Sequence, residues 1–200
     1  MKRYASFSDF QVLGRVLFTV SSGLGPSWKL ASRVMLEEDL GTMGPDGWIQ
    51  LEPDRWYPLA GHLRALHRIQ RDLGDVALRQ MAAHAPRLAL RPGPEATDVR
   101  TVLEQVNVAY HANHARAGQP LYSADTGEMR EGIGHYRVGP GTSARQVRVE
   151  CTNPYPCVFD QALLLAFVHQ LQPEATLVHL VPESCRARGS PQCTYGVNWP

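Results

Sequence analysis

The sequence predicts an α+β fold, N-terminal helices packed on a C-terminal antiparallel sheet, and three features predict it. Apolar residues recur at helical spacing through the first half, as in Leu59, Leu63, Leu66 and Ile69. Near residue 131 the period drops to two, in EGIGHYRVGPGTSARQVRVEC, with Gly-Pro-Gly at its middle as a hairpin turn. An apolar segment, CVFDQALLLAFVHQLQP, then separates that hairpin from two more short strands, ATLVHLV and CTYGVNW.

The elements follow in order. Phe10, Leu13, Leu17 and Val20 have helical spacing, so a helix is expected from Phe7, broken at SSGLGPS and resumed through WKLASRVMLEEDLG. MGPDGW is rich in turn formers and leads to a short strand or loop, WIQLEPD. RWYPLAGHLRALHRIQRDLG reads as an amphipathic helix ending at Gly74, with a further helix over 75–84. RLALRPGPEAT reads as a linker. The next helix is expected in TDVRTVLEQVNVAYHANHARAG, with Thr97 or Asp98 as N-cap and Gly118 as C-cap. The whole is expected to be a single domain over 1–200, with a helical part over 1–90 and an α+β part over 97–200.

Length and charge exclude several classes. A chain of 200 residues can bury a full core without metal or disulfide staples. Its 20 basic and 19 acidic residues leave a net charge of +1, which offers no nucleic-acid footprint and no polybasic membrane anchor. The longest apolar run, ALLLAFV, is far below the ~20 residues that span a bilayer. The N-terminus begins basic, but Asp9, Gln11 and Arg15 interrupt any signal-peptide core. The chain is read as cytoplasmic, where clustered cysteines serve as metal ligands, buried thiols or redox groups more often than as disulfides.

All 4 cysteines fall in the last quarter, in CTNPYPC and in ESCRARGSPQC. Cys185 and Cys193 flank a Gly-Ser-Pro turn, and two ligands on either side of a tight turn can share one metal. Cys157 opens a helix, whose N-terminal dipole is expected to lower its pKa. Reduced thiols packing that helix on the sheet, a zinc site and a disulfide all remain open on these residues.

NPYPCVFDQALLLAFV followed by CRARGSPQCTYGVNW resembles the C-terminal half of the vinyl-reductase-type ligand-binding domain. That superfamily includes heme nitric-oxide sensors, TRAPP trafficking subunits and the sensor domains of phenol- and xylene-responsive activators. The pattern C-x-x-x-G-x-x-x-C before an aromatic strand is its signature, here Cys185, Gly189, Cys193 and Tyr195. The resemblance covers about residues 130–199, and DRWYPLAGHLRAL is similar to uncharacterised bacterial members. It implies a TRAPP-like ligand-binding fold. In the phenol-sensing relatives three cysteines and a glutamate hold a structural zinc, which here implies Cys157, Cys185 and Cys193. The family's glutamate position holds Pro182, so the fourth ligand is either Cys151 or Glu183. Neither the proximal histidine nor the Tyr-x-Ser-x-Arg clamp of the heme sensors can be placed, so heme is disfavoured.

Other constellations carry less. His111 and His114 can share a helix face, whereas His62 and His67 point about 140° apart; without an H-E-x-x-H pattern, exposed or core-edge histidines are expected. Arg186 and Arg188 are expected to be solvated. Trp28, Trp48, Trp56 and Tyr57 form an aromatic set that fills core or lines a pocket. The chain shows no G-x-S-x-G, P-loop or dinucleotide fingerprint, and Ser184 has no identifiable base, so no enzyme is expected. The expectation is a sensory module enclosing a pocket near Trp56, Tyr110, His135 and Phe167, with His179 on a strand that either lines it or merely packs. It would take a small apolar, aromatic or lipid-like ligand and signal as a homodimer or through an unknown partner protein. The alternative is a ligand-free interaction scaffold, favoured by a filled interior and exposed apolar surface.

Overall fold

The computed structural model describes residues 2–88 and 97–200. Most of the expected linker lies outside the described residues.

After a 3-10 turn at Lys2–Phe7 the chain forms a strand, β1 (Phe10–Leu13), where local spacing predicts helix. Helix α1 (Gly14–Ser22) begins only after it. The reason is non-local: two strands claim Phe10–Leu13, one on each side. Val12 faces Tyr57 of β4 (Trp56–Pro58) across one ladder and His114 of β5 (His114–Arg116) across the other. A short strand β6 (Gln119–Pro120) completes an antiparallel sheet of order β4-β1-β5-β6.

Helix α2 (Trp28–Leu36) follows the break at SSGLGPS. The MGPDGW turn is bracketed by a two-residue hairpin, β2 (Thr42–Met43) and β3 (Ile49–Gln50). The long helix α3 (Leu59–Leu88) breaks at Gly74, whose φ of 80° only glycine adopts readily. Helix α4 (Val99–Ala112) opens on the expected N-cap: the Asp98 carboxylate accepts from the Thr101 N–H at 2.9 Å, and the Thr101 hydroxyl accepts from the Asp98 N–H at 3.2 Å. It ends earlier than expected, with Asn113 as C-cap, because His114–Arg116 leaves the helix to pair with β1. Gly118 sits in the β5–β6 turn instead.

The C-terminal elements match the two-residue period: β7 (Tyr136–Pro140), β8 (Gln146–Cys151), β9 (Thr176–His179) and β10 (Cys193–Asn198), paired antiparallel in the order β7-β8-β10-β9. Helix α5 (Cys157–Val168) is apolar on nearly every side, the mark of a buried helix. It packs along α3 and α4 and against β9 and β10. Buried side chains from both halves, such as Leu66, Leu103, Leu164 and Tyr195, belong to one continuous core. The chain is therefore α+β, and no helix among the described residues is long and apolar enough to cross a membrane.

A three-thiol cluster and a histidine-tyrosine interior

Cys157 sits at the first turn of α5, Cys193 at the start of β10, and Cys185 at the near end of the loop between β9 and β10. That loop reverses through a 3-10 turn at Arg186–Arg188 and through Gly189, whose φ is 93°. The reversal brings the three sulfurs together, with Cys157 Sγ 3.2 Å from Cys193 Sγ and 3.5 Å from Cys185 Sγ, and Cys193 3.8 Å from Cys185. Four thiolates bound tetrahedrally to zinc at ~2.3 Å would stand about 3.8 Å apart, so the spacing suits one shared metal. Cys151 lies opposite Cys193 in the β8–β10 ladder but does not join the group, and Glu183 is exposed and outside it. Neither fourth ligand expected from sequence is in place.

The thiol expected to be acidic is not Cys157. The hydrogen bond it donates to Cys193, together with burial, pushes Cys157 upward. That same hydrogen bond, reinforced by the Arg186 backbone N–H at 3.3 Å, pushes Cys193 down to about 4. The helix dipole thus yields to a proton shared between two sulfurs.

Arg186 also departs from expectation: its side chain is only 10% exposed. The guanidinium donates to the Asp160 carboxylate in α5 and to the Asn153 carbonyl and side-chain oxygens. Asp160 has no exposed side-chain surface and also accepts from the Tyr136 hydroxyl at 2.7 Å. Burial works against both charges. At Asp160 it pushes the carboxyl up while Arg186 and Tyr136 oppose it; at Arg186 the carboxylate outweighs burial and holds the cation charged. A lone aspartate inside an otherwise apolar helix is the signal that could have announced this pair.

The histidines are the largest miss. His62, His111, His114 and His135 are all buried, not exposed or at the core edge. His114 Nδ1 donates to the Tyr110 carbonyl at 2.6 Å, which leaves Nε2 to accept from the Tyr155 hydroxyl at 2.9 Å. His111 Nδ1 donates to the Asn107 carbonyl at 2.9 Å, and its Nε2 is buried without a partner, as is His62 Nε2. His111 stacks on His135, whose Nε2 lies 2.7 Å from a Glu131 oxygen. Burial pushes His62 down to about 3 and His114 down to about 4.

Beside these rings lies an apolar cavity of about 60 Å³, walled by Val16, Val106, Tyr110, His114, Tyr136, Tyr155 and Phe159. Of the pocket residues expected from sequence, Tyr110 lines it and Trp56, His135 and Phe167 do not, nor does His179. Phe167 is core, and Trp56 is half-buried in β4. Trp28 stacks on Trp48, with ring centroids 6.5 Å apart, at the N-terminal surface. A separate open cleft of about 660 Å³ runs between α3 and the start of α5, with Cys157 and Arg186 in its wall.

No family model and no curated protein matches the chain. Solved structures do. An H-NOX protein from S. oneidensis in its Fe(II)NO ligation state matches with a TM-score of 0.62 at 11% identity, covering 94% of this chain and 99% of that one. An H-NOX structure used to probe heme distortion matches with a TM-score of 0.61 at 9% identity, covering 93% of this chain and 94% of that one. An oxygen-binding H-NOX domain related to soluble guanylate cyclases matches with a TM-score of 0.53 at 12% identity, covering 93% of this chain and 94% of that one. At these identities the likeness establishes the fold, which is H-NOX-like; the TRAPP-like and vinyl-reductase labels find no support in it. The expectation that disfavoured heme is corrected, because the fold neighbours are proteins of heme and Fe(II) ligation. Buried imidazoles with unpartnered Nε2 atoms are present at His62 and His111, but neither lines the cavity, whose one histidine, His114, is engaged by Tyr155. Room is lacking too: the cavity of about 60 Å³ is far below the roughly 300–1,000 Å³ of a cofactor pocket, so a porphyrin requires Tyr110, Tyr155 and Phe159 to swing aside. The chain has the H-NOX-like fold, with buried imidazoles in its interior and three thiols gathered at the first turn of α5.

Proposed function

We propose that the chain is a non-enzymatic sensory module in which the occupancy of the interior is passed to the C-terminal hairpin and read out by protein association, as a homodimer or with a partner protein. One observation carries this reading. Tyr136, in the cavity wall, donates to Asp160; Asp160 holds Arg186; and the Arg186 backbone donates to Cys193. A side chain displaced at the cavity therefore moves the acceptor that anchors the loop between β9 and β10. The H-NOX-like fold supports the same reading, since those neighbours ligate NO and oxygen.

Size limits the ligand. A cavity of about 60 Å³ is under half of the ~150 Å³ that accommodates benzene. A diatomic gas held by packing alone gains at most about 3 kcal/mol, which is a Kd of several millimolar. A useful sensor thus requires either a metal centre or an opening of the Tyr155 and Phe159 wall. The test is titration of the purified chain with hemin and, separately, with small aromatic compounds, following the Soret band and Tm. A saturable Soret band at one heme per chain, or a saturable rise in Tm, supports the sensor. Neither response, with a stable dimer or complex, supports the scaffold.

The scaffold reading has its own observation. The interior is nearly filled, and Leu171, Val178, Leu180 and Val181 are exposed on and beside the edge strand β9. In either reading the proposal includes a thiophilic metal ion such as zinc on Cys157, Cys185 and Cys193, pinning α5 to the C-terminal hairpin.

A further inference from the structure

Resting on the metal reading of the three thiols, we infer that the ion's fourth position is open to the neighbouring cleft and takes an exogenous small thiol. Among the described residues, Cys157, Cys185 and Cys193 are the one group of three or more histidine, cysteine or acidic side chains whose donor atoms all lie within 4.8 Å of one another. A closed structural zinc site takes four protein ligands; three protein ligands leave a position for water or substrate. Here neither side chain that could have closed the site joins it: Cys151 lies opposite Cys193 in the β8–β10 ladder but outside the group, and Glu183 is exposed.

The open side is not solvent at large. Cys157 forms part of the wall of the cleft of about 660 Å³, within the size range of small-molecule sites. Two edges define what fits there. Gln70, Arg71 and Ser190 offer hydrogen-bonding groups suited to carboxylate and amide functions, and Tyr4 and Phe7 offer apolar faces. The metal, already in a three-sulfur donor set, favours a soft fourth donor. The fitting ligand is a small thiol carrying carboxylate or amide groups. Binding exchanges one water for the thiol: the metal–oxygen bond breaks, the metal–sulfur bond forms, and the thiol proton leaves on the released water. No electron moves.

Cobalt(II) substitution reads each step separately, with reduced glutathione as the probe in thiol-free buffer. Cobalt bound by three cysteines gives a sulfur-to-cobalt charge-transfer band; the fourth sulfur raises it by about one third, saturably. Ala187→Trp, at an exposed residue of the cleft wall, keeps the cobalt and loses the glutathione response, while Cys151→Ser keeps both. Bound cobalt whose band ignores glutathione overturns the open position and leaves the metal reading standing. A response that survives Ala187→Trp, or disappears in Cys151→Ser, overturns the cleft as the source of the ligand. Failure to bind cobalt overturns both readings.

Discussion

Acid is expected to unfold this protein through its buried imidazoles. His62 and His114 are fully buried and held neutral, with folded pKa values pushed down to about 3 and about 4 from an ordinary 6.5. The unfolded chain takes up a proton at each as pH falls below 6.5, and the folded chain does not, so stability is lost as pH falls. Each histidine then costs about 1.4 kcal/mol per pH unit, so at pH 5 the pair removes about 4 kcal/mol. That is a large fraction of the ~5–15 kcal/mol that holds a domain together. In the window from pH 6.5 to 5, His111, also lowered by burial, adds to the loss with the same sign, whereas Asp98 and Glu131, lowered by the Thr101 N–H and by His135, lose their contributions only in more acid solution. Asp160, raised by burial, acts with the opposite sign there. Each unfolded imidazole is only half protonated at pH 6.5, so urea unfolding across the window should give an average slope of about 2 kcal/mol per pH unit from this pair, reduced by about 1 in His62→Gln. A flat stability from pH 6.5 to 5, or a slope unchanged in His62→Gln, would refute the reasoning.

Asp160→Asn leaves the Arg186 guanidinium buried opposite a neutral group, and equilibrium unfolding should show a loss of about 3–5 kcal/mol. Ala117 holds a φ of 50° in the β5–β6 turn beside Gly118 at 77°. Ala117→Asn suits that conformation and should raise stability by about 0.5–1 kcal/mol in the same assay. Elemental analysis of chain purified without chelator should give one zinc per chain, lost in Cys157→Ser and Cys193→Ser. A chelator should lower the Tm of the wild type and leave those variants unmoved.

The C-terminal sheet, α5 and the α4 cap were legible because their signals are local. Alternation marks β7 and β8, a continuous apolar run marks α5, and Asp98 stands directly before its helix. The thiol cluster was legible in part: the turn around Gly189 announces that Cys185 and Cys193 meet. Which residue would complete the site was not legible, because that depends on where Cys151 and Glu183 point once the loop has closed. The interior was misread for a related reason. Spacing places His62 and His114 on helix faces or ends but cannot say that β1 will run between β4 and β5 and draw His114 inward.

The sequence by itself determined the α+β class, the order of most elements and the approach of Cys185 to Cys193 around their turn, because periodicity, caps and tight turns act over a few residues. Tertiary structure alone decided that Phe10–Leu13 is a strand, that Arg186 turns inward to Asp160, and that the expected pocket is a small cavity among tyrosines and histidines. Those outcomes depend on partners far away in the chain. A buried charge or imidazole is set by what the fold brings against it, and no window of neighbouring residues contains that information.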